Sequence, residues 1–229
     1  REAVPYGVGG RHRFDLVLPP RAPVGLFVFV HGGYWLRFDR SYWTHLSRGA
    51  AERGWAVALP SYDLAPQVRI SEITRQIARA IDVAAGEVDG PIVLAGHSAG
   101  GHLGLLAAQA LSKSDVNKGI KRVIGLAAIT NMQSYALGEN SCQTATPQFM
   151  GGMPSDDSRA YKVATPNPAD ITPPVILLQG KEDSIVPEHH ASLPGAKKRI
   201  IKNGGHFDWL HPESTSFDAL LEVLSHHDK

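Results

Sequence analysis

Apolar runs of four to six residues recur along the chain, and several segments between them carry apolar positions at helical spacing. Residues 25–30 are continuously apolar and β-rich, the composition of a strand covered on both faces. Residues 14–18 alternate and stop at Pro19-Pro20, which predicts an edge strand. Further strands are predicted at 55–59, 92–95, 123–128, 175–178 and 199–201. Residues 41–53 and 71–88 have helical composition. In the second, Ile73, Ile77, Ala80, Ile81 and Ala84 repeat at spacings of three and four behind Ser71, a good N-cap. Residues 101–111 read as a helix packed on a sheet, and 213–225 close the chain with Phe217, Leu220, Leu221 and Leu224 on one face. Strands alternating with helices predict an α/β fold, a mainly parallel central sheet covered by helices on both faces.

One stretch breaks this rhythm. Residues 130–174 show little periodicity and are interrupted by Pro147, Gly151-Gly152, Pro154, Pro166, Pro168 and Pro173-Pro174. A loop of such length is usually functional, and Tyr135, Phe149, Met150, Met153 and Tyr161 give it apolar surface to bury. It is expected to be a short lid inserted into one domain spanning residues 1–229.

Candidate chemistry begins at Gly96-His97-Ser98-Ala99-Gly100, which follows one predicted strand and precedes a predicted helix. Strand, G-x-S-x-G, helix is the arrangement of a nucleophile elbow, in which a tight turn lifts the serine out of the sheet. A serine hydroxyl is a poor nucleophile unaided and requires a base and a group to orient it. With an elbow the chain order is serine, then acid, then histidine. Asp183 lies just past the strand at 175–178, with Glu182 as its immediate rival. His206 follows the last strand through Asn203-Gly204-Gly205, a turn able to present an imidazole, and His211 is the serious alternative. His97 and His102 flank the serine but are expected to aim sideways. His189-His190 are expected to begin a helix and His226-His227 to lie in the tail. His206, Asp208 and His211 could instead hold a metal, but their spacing matches no standard zinc motif, so no metal is expected. Donors for a tetrahedral oxyanion are available from the turn His31-Gly32-Gly33-Tyr34-Trp35 and from the amide of Ala99.

The HGGYW turn, Ser61-Tyr62-Asp63-Leu64-Ala65-Pro66 and GHSAG together resemble the esterase/lipase branch of the α/β-hydrolases with an HGG oxyanion loop. The aromatic pair after the glycines is similar to kynurenine formamidase-like and small carboxylesterase members. That resemblance implies an α/β-hydrolase fold and Ser98, Asp183 and His206 as the catalytic residues. It further implies oxyanion donors at Gly33, Tyr34 and Ala99, with Gly32 and His31 supporting the loop, and a structural role for Ser61 to Pro66. It implies no cofactor, and a small ester or aryl formamide as substrate. Many lipase-like relatives carry a third glycine where this chain has Tyr34, whose side chain, with Trp35, is expected to crowd the approach to Ser98. The long N-terminal cap of larger relatives is not seen in these residues. Competing functions are a hydrolase-fold protein that binds a small ligand without turnover and a lyase using the same oxyanion site.

Composition narrows the field further. The chain has 229 residues, enough for one large α/β core. With 43% hydrophobic and 20% charged residues it reads as a soluble globular protein. Its net charge of +1 offers no electrostatic case for nucleic acid or an anionic membrane. Lys197-Lys198-Arg199 reads as a solvated strand edge. Cys142, the one cysteine, reads as a small loop residue and excludes an intrachain disulfide. No signal peptide or spanning segment is visible in the chain from Arg1 onward, so a cytoplasmic location is expected. Association into a homodimer is left open.

Overall fold

The structure is a computed structural model and describes residues 1–225. The sheet has eight strands: β1 (Val4–Pro5), β2 (Arg13–Val17), β3 (Gly25–Val30), β4 (Trp55–Pro60), β5 (Ile92–His97), β6 (Ile120–Leu126), β7 (Val175–Gly180) and β8 (Lys197–Ile201). Their spatial order is β1-β2-β4-β3-β5-β6-β7-β8. β1 and β2 run antiparallel to their neighbours, and every other pair is parallel.

All six residues of β3, β4 and β5 are buried, because each of these strands is covered on both faces. Alternate side chains serve two separate cores. Leu26, Val28 and Val30 point with Leu94 into one, while Phe27 and Phe29 point with Val93 and Ala95 into the other. The first core lies under α2 (Ile70–Ala85) and α3 (Ala99–Leu111), and the second under α1 (Ser47–Glu52) and α7 (Thr215–Ser225). Among the described residues, no helix is long and apolar enough to cross a membrane. This is the mainly parallel, doubly covered sheet that the sequence pattern predicts, and it agrees with the α/β-hydrolase fold that the motif resemblance implies.

Several expectations are corrected. β2 is not an edge strand, since the short β1 pairs with its outer side. Residues 41–53 do not form one helix: a 3-10 segment (Arg40–Leu46) opens under an Asp39 cap and passes into α1. β6 starts three residues early, through Lys121 and Arg122, whose charges hide a strand from an apolar pattern. His189-His190 end a 3-10 turn (Glu188–His190) rather than opening a helix. Lys197 to Arg199 are exposed on β8, as expected of a solvated edge. His226-His227 lie outside the described residues.

The predicted lid is ordered into helices α4 (Met132–Ala136), α5 (Ser141–Met150) and α6 (Ser158–Val163). Each opens with a side-chain cap, from Asn131, Asn140 and Asp157 respectively. Met132, Tyr135 and Tyr161 are buried against the first core, whereas Met153 is exposed. Cys142 is not a loop residue, being buried in the first turn of α5.

The junction of β3 and α3 leaves no room for a side chain. A Cβ on Gly100 would lie 2.2 Å from the Val30 carbonyl oxygen and 2.3 Å from that of His31. The Gly100→Ala variant therefore forces backbone atoms apart and should lose about 2–3 kcal/mol of stability, a fall in Tm on the order of 5–10 °C. Gly10→Ala, where a Cβ meets nothing within 4 Å, should stay within about 0.5 kcal/mol of the parent. Thermal unfolding of both variants measures the contrast, and equal Tm values would show that the junction gives way easily.

Candidate active site

Ser98 occupies the turn between β5 and α3 with φ 56° and ψ −121°. L residues avoid that region, at a cost of about 1–3 kcal/mol, so the surrounding backbone must hold it there. The Ser98 N–H donates to the Leu126 carbonyl at 2.8 Å, and the His102 N–H donates to the Ser98 carbonyl at 3.0 Å. The serine thus stands at the carboxyl ends of the parallel strands, where ligand-facing groups of such sheets gather.

Asp183 hangs from the loop after β7, and its carboxylate is fully engaged. Oδ1 accepts the N–H groups of Ile185 (2.9 Å) and Val186 (2.8 Å). Oδ2 accepts from His206 Nδ1 (2.8 Å) and from Gln179 Nε2 (3.1 Å). Burial pushes the carboxyl up. The hydrogen bond and charge of His206, with the Val186 and Ile185 N–H groups, outweigh it and hold the carboxyl below its ordinary value. An ionised carboxylate can only accept, so His206 carries its proton on Nδ1 and turns the lone pair of Nε2 away from Asp183. Glu182, the rival acid, is exposed, and so is His211, the rival base.

His206 is fixed from a second side. His97 Nε2 donates to the His206 carbonyl at 2.7 Å, and the two rings lie 4.6 Å apart. Since His97 precedes Ser98, this contact brings serine and imidazole to one corner of the molecule. Among the described residues no hydrogen bond joins Ser98 Oγ to His206. Such bonds are often long in unliganded enzymes and tighten when substrate arrives.

The glycine-rich turn approaches the serine closely. A Cβ on Gly32 would meet the His97 carbonyl oxygen at 2.8 Å and Ser98 Cβ at 3.3 Å. Gly33, Tyr34 and Trp35 follow with φ of 115°, 51° and 64°. Among the described residues, the N–H groups of Gly33, Tyr34 and Ala99 have no acceptor. His31 lies beneath the turn, stacked on Tyr62 at 4.3 Å, with its Nδ1 donating to the Gly32 carbonyl at 2.8 Å. The Tyr62 hydroxyl donates to the His31 carbonyl at 2.7 Å, which ties the Ser61 to Pro66 segment to the same loop. Trp35 does not crowd the approach to Ser98, as the sequence suggested. It is 1% exposed, donates from Nε1 to His102 Nδ1 at 3.0 Å, and packs on Tyr135 and Phe149. Tyr34 alone stays half-buried, with its side chain reaching Cys142, whose thiol is pushed up by burial.

Three contributors escaped the sequence reading. Gln179 ends an otherwise apolar strand, and that lone amide was the available signal. His97 and His102, expected to aim sideways, each make a buried hydrogen bond across the site, His102 through Nε2 to the Ala164 carbonyl at 2.6 Å. The alternative metal set of His206, Asp208 and His211 is not assembled. Asp208 accepts the Gly205 N–H at 2.8 Å, and among the described residues no cluster of three or more His, Cys, Asp or Glu could hold an ion.

The BD-FAE family model matches residues 14–194. The chain belongs to the BD-FAE family. A candidate thioesterase of known structure from a Silicibacter species is 36% identical, with a TM-score of 0.82 over 99% of this chain and 85% of that one. Esterase B from Lactobacillus rhamnosis superposes with a TM-score of 0.80 over 98% of this chain and 83% of its own, at 19% identity, a likeness of fold alone. Kynurenine formamidase from Drosophila melanogaster is 38% identical over 34% of this chain and 27% of its own length. A rice protein named a probable isoprenylcysteine alpha-carbonyl methylesterase is 28% identical over 96% of this chain. The chain matches 27% of the fly relative's length and 58% of the rice protein's. This BD-FAE member is therefore an α/β-hydrolase of an esterase-like family with formamidase relatives.

Four buried histidines in it are neutral at pH 7. Burial is the main cause in every case, and it takes His31, His102 and His190 down to about 4 and His97 to about 3. Unfolding frees each to bind a proton near pH 6.5, so the stabilisation is complete above that pH and is lost as pH falls toward about 4. Asp183, held low, adds its own loss below about pH 4. The urea midpoint should be level near pH 7–8 and fall steeply from about 6.5 to 4, each histidine contributing up to ~1.4 kcal/mol per pH unit. His190→Leu should make that fall shallower, and a midpoint unchanged between pH 7 and 5 would disprove neutral burial.

Proposed function

We propose that this BD-FAE member is a serine hydrolase that cleaves small carboxylic esters or aryl formamides through an acyl-enzyme. The observation that carries the reading is the buried Asp183–His206 pair at 2.8 Å beside a serine in a strained turn at φ 56°. Ser98 Oγ attacks the carbonyl carbon as His206 Nε2 takes its proton, and Asp183 stabilises the imidazolium. The oxyanion is received by the free N–H groups of Gly33, Tyr34 and Ala99, each worth about 3 kcal/mol in the transition state. His206 then returns the proton to the leaving alcohol or amine. Water, deprotonated by the same nitrogen, attacks the acyl carbon, and Ser98 Oγ leaves as the hydroxyl.

The formamidase relatives support formyl transfer from an aryl amine as one form of this chemistry. Half-buried Tyr34 in place of a third glycine supports small acyl groups, because it adds bulk to the loop whose Gly32 packs on the elbow. The competing reading, ligand binding without turnover, predicts neither covalent labelling of Ser98 nor hydrolysis.

Ser98→Ala should lower kcat/KM by about 10³-fold or more without changing the Tm. A fluorophosphonate should modify the parent on the peptide containing Ser98 and leave the variant unmodified. A variant that keeps a tenth of the parental rate would remove Ser98 from the chemistry.

Substrate scope gives a separate test. Among p-nitrophenyl esters, kcat/KM should peak at about two to four acyl carbons and fall at least tenfold by about eight, with N-formylkynurenine assayed alongside. Rates still climbing at decanoate would contradict a small acyl site.

A further inference from the structure

A cavity of about 860 Å³, whose lining does not include Ser98, lies between α2, α3 and the inserted helices. That volume is within the range of small-molecule sites, roughly 300–1,000 Å³. Ile70, Leu106, Phe149, Met150 and Ala164 supply apolar surface to its lining. Two of them, Phe149 and Met150, are only half-buried, so apolar surface is available to an occupant.

Charge in the lining is unbalanced. Arg69, Arg75, Lys113 and Arg159 face two carboxylates, Asp157 and Asp170. Both acids are engaged locally: Asp157 caps α6 by accepting the Ala160 N–H at 2.9 Å, and Asp170 accepts from Asn167 Nδ2 at 2.7 Å. Arg75 pairs with Glu72. Among the described residues, Arg69, Lys113 and Arg159 have no ion-pair partner. Apolar surface beside surplus cations is complementary to a chain with an anionic head.

The cavity wall also contacts the turn below the elbow by two routes. Phe149 packs on the Trp35 ring at 5.0 Å. Ala164 accepts from His102 Nε2, and His102 Nδ1 accepts from Trp35 Nε1. Trp35 thus touches one lining residue, Phe149, and is linked through His102 to a second, Ala164.

We propose that this cavity binds one molecule of a medium-chain fatty carboxylate, its chain on the apolar lining and its head among Arg69, Lys113 and Arg159, and that Trp35 senses the occupant. Binding there requires no chemistry at Ser98, so it stands or falls separately from the hydrolase reading.

Calorimetry with sodium dodecanoate below its micelle concentration tests this directly. One-to-one saturable binding is expected, tightening by about fourfold per methylene from octanoate to dodecanoate. The Lys113→Glu/Arg159→Glu double variant should weaken it at least tenfold, and dodecanol should bind more weakly than dodecanoate. Ala110→Phe, which adds bulk to an exposed position in the lining, should also weaken it, whereas Ser98→Ala should not. Dodecanoate should change the intrinsic fluorescence of the parent, and Trp35→Phe should abolish that change while retaining binding. Absence of saturable binding, equal affinity for dodecanol, indifference to the charge reversals, loss of binding in Ser98→Ala, or a fluorescence change that survives Trp35→Phe would each overturn the proposal. Capture only on anionic phospholipid vesicles would overturn it too, and would mark a membrane-facing surface instead.

Discussion

A Cβ on Gly100 would stand 2.2 Å from the Val30 carbonyl oxygen, so the first turn of α3 touches the end of β3 backbone to backbone. Gly32 repeats the contact from the other side, against His97 and Ser98. With both gaps closed, the elbow and the HGGYW turn cannot move independently. The strain at Ser98 persists because the contacts around it leave no relaxed alternative, which is how a folded protein maintains an unfavourable dihedral angle. The same contacts bring the free amides of Gly33, Tyr34 and Ala99 into the neighbourhood of one serine.

Much of this was legible because the residues concerned are short motifs with a mechanical meaning. GHSAG could be recognised from its flanking strand and helix, and Asp183 and His206 from their places after successive strands. Elements whose cause is tertiary were not legible. β1 is only two residues long, and no periodicity announces it; it exists because β2 offers it an edge. The helices of the insertion are five, ten and six residues long, too short for an apolar repeat to announce them, and each depends on a side-chain cap from Asn131, Asn140 or Asp157. Trp35 was misjudged because sequence alone does not say toward which side a left-handed turn throws a large ring.

The histidines show a related limit. Composition counts 11 of them without distinguishing their duties. Burial does, since a desolvated imidazole stays neutral and becomes one fixed donor and one fixed acceptor. His97 donates a hydrogen bond to the His206 carbonyl, and His102 accepts from Trp35 while donating to Ala164. Both act as rigid polar struts at neutral pH, a role that a permanently charged residue could not fill in an apolar core. His206 differs from them in its partner: its Nδ1 meets the Asp183 carboxylate at 2.8 Å, which turns its second nitrogen away from that acid.

His102 also explains how the inserted helices and the central fold form one mechanical unit. Trp35 belongs to the turn after β3, His102 to α3, and Ala164 to the end of α6, and two hydrogen bonds of 3.0 and 2.6 Å run through the three. Each bond fixes the other, because the tautomer that accepts from the indole is the one that donates to the carbonyl. Removing the indole N–H leaves His102 Nδ1 buried without a donor, at a cost of about 1–3 kcal/mol. Displacing α6 leaves the Nε2 proton without an acceptor. The insertion is therefore held by the chemistry of one imidazole as well as by apolar contact, and the backbone of Tyr34, one residue from Trp35, inherits that rigidity.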